Sequence, residues 1–508
     1  MNSNLRLVVN TLAQGLRTLF NIFLSLYSTR LVMDALGKYD FGLYMLIASV
    51  ISLFPYLINA MVTTTQRHLS YSYGQGDEEA SQRIFANSYL LHLAVGVVFC
   101  LIAASFTNII FERQWLVVEP YQLAEAHWIY LLTIASALLT FLTSPFRALC
   151  IAHENIVYLS VVDVMDGVLK LGLVFLLYQV DNYRVTLYAV IMTTVLLFHF
   201  LAVAIYSWVA YKESSVLPRL SLYDGKLMRQ LAGFASWTIF GMGCVYVRSQ
   251  GAAVALNQFF GTVINSAYGV GTQVFNNVQN FTQSINNAIA PQVIAAEGQG
   301  NRQRMLFLSS LTSKYGFLVS ALISLPLIFE MPGVLSIWLK EVPEHSVLFC
   351  RVLLLTSTCD QLTQGLAIAN QAIGRLRNYT LLIYIPKLLT LPVIVFGLMC
   401  GWELWITMSA FVLFEAISML LRIPYLKHVA HLDVRVYFRA VFARVAGPFL
   451  IMSLTGMCCI EGLPSHPFRF VLTGALCVAS GLISIWIMSL DNRERTFALQ
   501  QLRKFIRK

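Results

Sequence analysis

Hydrophobic runs of membrane length recur along the whole chain, and that recurrence restricts the architecture before any motif is considered. Fourteen such runs can be drawn, at residues 7–32, 41–64, 84–106, 124–151, 158–178, 186–208, 234–260, 264–290, 306–329, 347–373, 380–400, 406–425, 441–460 and 468–488. A helix needs about twenty residues to cross ~30 Å of hydrocarbon, whereas an outer-membrane strand is about ten residues long and alternates. No stretch between the runs could hold a soluble domain, and with 57% hydrophobic and only 12% charged residues a soluble core-and-surface partition is excluded. The chain is therefore expected to be an all-α polytopic membrane protein. The first run carries Arg17 and Arg30 and is too long for a cleaved leader, so it is expected to stay as a helix.

Basic residues choose the orientation. The even-numbered connections and both tails hold Arg67, Arg83, Arg147, Lys212, Arg229, Arg302, Arg304, Arg375, Arg377, Arg435, Arg439 and the terminal Arg-Lys pairs, whereas the opposite connections hold little more than Lys38, Arg113, Arg184, Lys340 and Arg469. Positively charged loops remain cytoplasmic, which places both the N and C termini there. The formal net charge of +10 follows from this asymmetry and calls for no nucleic acid. The longest inner connections divide the chain into residues 1–210 (six spans), a linker 211–230, residues 231–427 (six more), an extra pair of spans within 428–490, and a basic tail 491–508. Two even-numbered lobes insert with the same orientation. The nine cysteines show no paired spacing and read as buried thiols.

An internal echo supports the division into lobes. Gly37, Tyr44 and Gly74-Gln75-Gly76-Asp77 recur 224 residues later, without a gap, as Gly261, Tyr268 and Gly298-Gln299-Gly300-Asn301. Between the later copies lies a segment unlike any lipid-facing helix, with Asn265, Gln273, Asn276, Asn277, Gln279, Asn280, Gln283, Asn286 and Asn287. Asn276, Asn280, Gln283 and Asn287 follow one helical face, which is expected to look onto water or protein because amides do not face acyl tails cheaply.

Charges inside the spans are the candidate site residues. Arg17 and Arg248 lie near mid-bilayer in the first span of each lobe, and Arg30 lies nearer the outer end. A lone arginine at that depth costs about 2.5 to 3.5 kcal/mol, so each needs an anion, water or a carboxylate partner. Asp163, Asp166 and Lys170 share a face of the fifth span, where Asp166 can pair with Lys170; at the repeat offset, Lys387 stands where Asp163 does. Asp360 and Glu415 are also deep. These carboxylates either bind a coupling proton or sodium ion or form structural pairs. No HExxH, paired CxxC, phosphate loop or GxSxG is present, and no metal or organic cofactor is expected.

Several stretches carry a resemblance. SLYSTRLVMDALGKYDFGLYMLIASVISLF (25–54), TTTQRHLSYSYGQGD (63–77), SPFRALCIAHENIVYLS (144–160), GVLSIWLKEVP (333–343) and ANQAIGRLRNYT (369–380) resemble polysaccharide flippases of the Wzx type, in the MATE-like MOP superfamily. The resemblance implies two six-helix lobes around a central cavity, here with two extra C-terminal spans, in the bacterial inner membrane. It implies transport, by alternating access, of undecaprenyl-pyrophosphate-linked oligosaccharide for O-antigen or capsule, with the polysaccharide polymerase machinery as a partner. It further implies a cationic cavity, to which Arg17, Arg30 and Arg248 would contribute, with the amides at 276, 280, 283 and 287 meeting sugar hydroxyls. Rival expectations are a cation-coupled MATE-type multidrug exporter, a peptidoglycan-precursor flippase and, from a different class, a membrane glycosyltransferase or polymerase.

Overall fold

The computed structural model describes residues 54–107, 111, 123–180, 182–215, 222–339, 341–462, 464, 469–492 and 494–496, together with helical positions between 14 and 47 that include Arg17 and Gly37. Arg30 and most of the basic tail lie outside the described residues. All described regular structure is helical. In chain order it comprises α1 (Phe54–Gln75), α2 (Glu78–Ser105), α3 (Leu123–Ala152), α4 (Ile156–Val174), α5 (Arg184–Ala210), the short α6 (Lys212–Ser215), α7 (Gly225–Gly298) and α8 (Arg302–Trp338). There follow α9 (Ser346–Gln361), α10 (Gln364–Ile373), α11 (Leu376–Met399), α12 (Leu404–Ala430), the short α13 (Val434–Ala440), α14 (Phe442–Gly462) and α15 (Arg469–Ser484).

Among the described residues nine helices are long and apolar enough to cross a membrane. The amide-rich second part of α7 is not one of them, as its composition demands. The chain forms two compact units, one of residues 1–242 with 294–300, the other of residues 243–293 with 301–508. In the first, α3 packs against α1, α2 and α5. In the second, α8 packs against α9, α10, α14 and α15, while α11 and α9 pack on α12.

The 224-residue echo is realised in the backbone, residue by residue. Gly37 and Gly261 have φ of +78° and +77°, and Gly76 and Gly300 have +74° and +73°, a left-handed region that favours glycine. Gly261 thereby breaks α7 into the two helices read from sequence. Asp77 caps α2 by accepting a hydrogen bond from the amide of Ala80 at 2.8 Å, and Asn301 caps α8 by accepting from Arg304 at 3.0 Å. The other motif glycines meet each other. A Cβ built on Gly74 would lie 2.2 Å from the carbonyl oxygen of Ala295, and one on Gly298 would lie 2.2 Å from that of Tyr71. Since 74 and 71 become 298 and 295 on adding 224, the contact is reciprocal, a pseudo-two-fold crossing of α1 with the end of α7 inside the first unit.

One expected span is not continuous. The run at 347–373 is interrupted at Leu362 and Thr363, which separate α9 from α10. Gly365, just beyond, packs so closely on α8 that a Cβ there would lie 1.8 Å from the carbonyl oxygen of Ser309. The extra C-terminal pair is bound to α8 near both ends. Arg469 donates through Nε to Glu330 Oε1 at 2.9 Å and through Nη2 to Oε2 at 3.2 Å, and Thr473 donates to the same carboxylate at 2.9 Å. At the other end Lys314 reaches Glu494 Oε1 at 2.7 Å, Tyr315 donates to the same oxygen at 2.8 Å, and Arg444 pairs with Asp491.

Candidate functional site: a buried charge network in each unit

In the first unit the network is built on α4. Asp163 is held by two arginines, Arg17 from the first span (Nη1 to Oδ2, 2.5 Å) and Arg147 from α3 (Nη1 to Oδ1, 3.0 Å; Nη2 to Oδ2, 3.1 Å). One turn on, Asp166 makes a short contact through Oδ2 with Nδ1 of His199 on α5. The helical spacing permits an Asp166–Lys170 pair, but the fold gives Asp166 to His199, and among the described residues Lys170 has no ion-pair partner. Arg17 and Arg147 keep side-chain exposures of 21% and 31%, so this network is only partly withdrawn from solvent.

Three acceptors on the helices that carry this network are unsatisfied. The buried atoms Asp166 Oδ1, Asn21 Oδ1 and Gln14 Oε1 have no hydrogen-bond partner among the described residues. Asn21 belongs to the same helix face as Leu24, which packs over Gly167 of α4. One ligand atom each from Asp163, Asp166 and His199 lies within 4.8 Å of the others. Because both oxygens of Asp163 already accept from guanidinium groups, the free acceptor capacity rests with Asp166, which suits a proton or a monovalent cation better than a divalent metal.

In the second unit the network is a chain across four helices. Arg248 of α7 donates through Nη1 to Glu415 Oε2 of α12 at 2.9 Å. Glu415 also pairs with Lys387 of α11, which donates to Asp360 Oδ1 of α9 at 3.2 Å. Arg422 of α12 completes the chain, with Nη2 2.9 Å from Asp360 Oδ1 and Nη1 3.2 Å from Thr363 Oγ1 at the α9–α10 break. Arg248, Lys387, Glu415 and Arg422 are all buried. An isolated charge would be costly there, and the alternating signs are what make the burial tolerable.

The alternation does not balance. The described network sets three cations, Arg248, Lys387 and Arg422, against two carboxylates, Asp360 and Glu415. Both arginines also keep a buried donor without a partner, Arg248 Nε and Arg422 Nε. The first unit is composed differently: Arg17 and Arg147 share Asp163, and Asp166 is met by the imidazole of His199. The two repeat-related positions are opposite in charge and each bridges two partners of the other sign, Asp163 between Arg17 and Arg147 and Lys387 between Asp360 and Glu415.

The amide face of α7 behaves as its periodicity requires. Gln273, Asn276, Asn280 and Gln283 are exposed and Asn287 is half-buried, with Gln283 donating to Asn287 Oδ1 at 3.1 Å. The opposite side, through Val274 and Val278, packs with Met331, Leu335, Cys350 and Leu354. Gln279 lies between the faces and accepts from Ser357 at 2.8 Å.

Sequence reasoning placed Arg17, Asp163, Asp166, Arg248, Asp360, Lys387 and Glu415 in the membrane but did not join them. It missed Arg422, the role of Thr363, and the partners His199 and Arg147. Arg147 was read only as a loop cation. Depth in a span was the available signal for His199 and Arg422.

No family model matches the chain, and no curated protein matches it. Solved structures do. A MATE protein in its straight conformation aligns with a TM-score of 0.74 at 12% identity, covering 85% of this chain and 97% of that one. An outward-facing multidrug resistance MATE family transporter of the MOP superfamily aligns at 0.70 and 10% identity, covering 83% and 95%. A MOP superfamily transporter from Pyrococcus furiosus, described as having a binding pocket of reverse polarity that suggests a different function, aligns at 0.70 and 12% identity, again covering 83% and 95%. At such identities the likeness concerns the fold: the chain has the multi-pass helical fold of MATE and MOP transporters.

Proposed function

We propose that this protein is a flippase that carries an undecaprenyl-pyrophosphate-linked oligosaccharide across the bacterial inner membrane by alternating access, with fourteen spans and both termini in the cytoplasm. The observation that carries the reading is the cation excess of the buried network in the second unit, three basic side chains to two carboxylates, with unpartnered Nε donors on Arg248 and Arg422. A diphosphate is an anion that must pass a low-dielectric region, and guanidinium groups meet it with charge-assisted hydrogen bonds. An arginine paired to one carboxylate oxygen still has donors to spare. The exposed amides of α7 offer donors and acceptors to sugar hydroxyls, while the isoprenoid chain stays in lipid.

Asp166 and His199 are the proposed site for a coupling proton or sodium ion, on the strength of the unpartnered Asp166 Oδ1. That cation site would serve the rival reading, a multidrug exporter, equally well. The cation excess favours an anionic cargo, and the reverse-polarity neighbour indicates that this fold accommodates pockets of differing character.

The test is genetic and chemical. A deletion strain should accumulate the lipid-linked sugar on the cytoplasmic side. Arg17→Ala and Arg248→Ala should each abolish export with the protein still inserted, whereas full complementation by both would remove them from the mechanism. Gain of resistance to cationic dyes on expression, without any effect on lipid-linked sugar, would instead establish the exporter.

A further inference from the structure

The short helix α13 belongs to neither network, yet it touches one. Asp433 caps it, accepting from the amides of Arg435 at 2.9 Å and Val436 at 3.2 Å. Its fourth residue, Tyr437, is 1% exposed. The Tyr437 hydroxyl lies 2.8 Å from the carbonyl oxygen of Leu362 and 2.9 Å from Ser313 Oγ, and Ser313 Oγ in turn accepts the amide of Gly365 at 3.0 Å. Leu362 is one of the two residues that interrupt the helix. Its neighbour Thr363 is held by Arg422, the end of the buried charge chain. Tyr437 thus ties α13 to the break two residues from Asp360.

Among the described residues the other side of α13 is open except where the ring of Phe442 stacks on that of Phe438. Val436 is 61% exposed and Phe438 57% exposed, with Arg435 and Arg439 exposed beside them. The helix follows the end of α12 and opens the 29-residue candidate span Val434–Gly462, which is longer than the hydrocarbon requires, so its first residues stand at headgroup depth on the face where basic residues concentrate. Apolar side chains flanked by arginines at that depth complement a leaflet of anionic lipid, whose phosphates meet the guanidinium groups while valine and phenylalanine enter the acyl boundary. A neutral leaflet would satisfy the apolar pair and leave the arginines without counter-charge.

We propose that α13 is a docking element for anionic phospholipid headgroups on the basic side of the membrane, and that Tyr437 transmits its seating to the α9–α10 break. The inference holds whichever cargo the protein carries.

Amide hydrogen exchange on the full chain in nanodiscs tests both halves. Adding phosphatidylglycerol to phosphatidylcholine should slow exchange at 434–440 and at 361–366, by up to about twenty-fivefold if two arginine contacts contribute roughly fivefold each. Arg435→Gln with Arg439→Gln should remove the response at both segments. Tyr437→Phe should keep it at 434–440 and lose it at 361–366. The proposal is overturned if the unaltered protein exchanges alike in the two lipids, if the double arginine variant responds as fully as the parent, or if Tyr437→Phe leaves the coupled response intact. Protection seen only in native membranes would also overturn it, since that would identify a protein cover.

Discussion

The crossing of Gly74 with Gly298 makes a prediction whose sign can be worked from the structure. A Cβ added at Gly298 would stand 2.2 Å from the carbonyl oxygen of Tyr71 and 3.2 Å from the Cα of Gly74. Carbon and carbonyl oxygen rest at about 3.3 to 3.6 Å, so Gly298→Ala requires the helices to part locally by about 1 Å. Overpacking of that kind costs roughly 1 to 3 kcal/mol, against which alanine recovers about 1 kcal/mol of helix propensity. The expected balance is a loss of about 1 kcal/mol. Gly243, in the same helix, has no neighbouring atom within 4 Å of a built Cβ, so only the propensity gain of at most about 1 kcal/mol operates there.

The two substitutions should therefore move the heat-ramp unfolding midpoint of the full-length protein in opposite directions, Gly298→Ala down and Gly243→Ala up. Gly74→Ala should resemble Gly298→Ala, and the double variant should lose less than the sum, because the first substitution has already opened a contact shared by both. If Gly298→Ala raised the midpoint as Gly243→Ala does, the close approach, and with it the structural reading of the repeated motif, would be wrong.

Three further outcomes are expected. Arg469→Ala leaves Glu330, 3% exposed, with Thr473 but no cation, and should cost on the order of 3 to 5 kcal/mol; Glu330→Gln combined with Arg469→Met should be milder on the same heat ramp. Burial pushes the Glu213 carboxyl up, yet hydrogen bonds involving His153, its own backbone and Tyr73 prevail and hold it below the usual 4.5. A depressed carboxylate contributes stability that is fully present above its usual value and is lost as pH falls through the lowered one, so acid should erode the midpoint of the parent in that range and erode it less in Glu213→Gln. For the proposed coupling site, Asp166→Asn should leave transport in reconstituted vesicles insensitive to imposed proton and sodium gradients; a variant that still answers to one of them as the parent does would place the coupling elsewhere.

What the sequence disclosed depends on whether a residue's role is set by its own backbone or by a distant partner. In the repeated Gly-Gln-Gly-Asp/Asn motif the second glycine makes a left-handed turn and the last residue a cap, both local jobs that could be read at a fixed offset without knowing any contact, while the close approach of the first glycine needs a distant partner. The amide face of α7 was legible for the same reason, since helical period alone puts Asn276, Asn280 and Gln283 together. The interruption at Leu362 and Thr363 was not, because neither residue breaks a helix by itself and the cause is tertiary, Gly365 drawn against the carbonyl oxygen of Ser309. Pairing was equally hidden. Helical spacing offered Lys170 to Asp166, but His199 on another helix took the position, and Arg422 joined Asp360 from a helix that shares no sequence signal with it. A sequence fixes how many charges of each sign enter an interior, whereas folding decides only which of them touch. With three cations and two carboxylates in the second unit's cluster, rearranging the partners cannot remove the surplus, so the sign of charge that this interior favours is more securely read than the identity of the side chain that meets it.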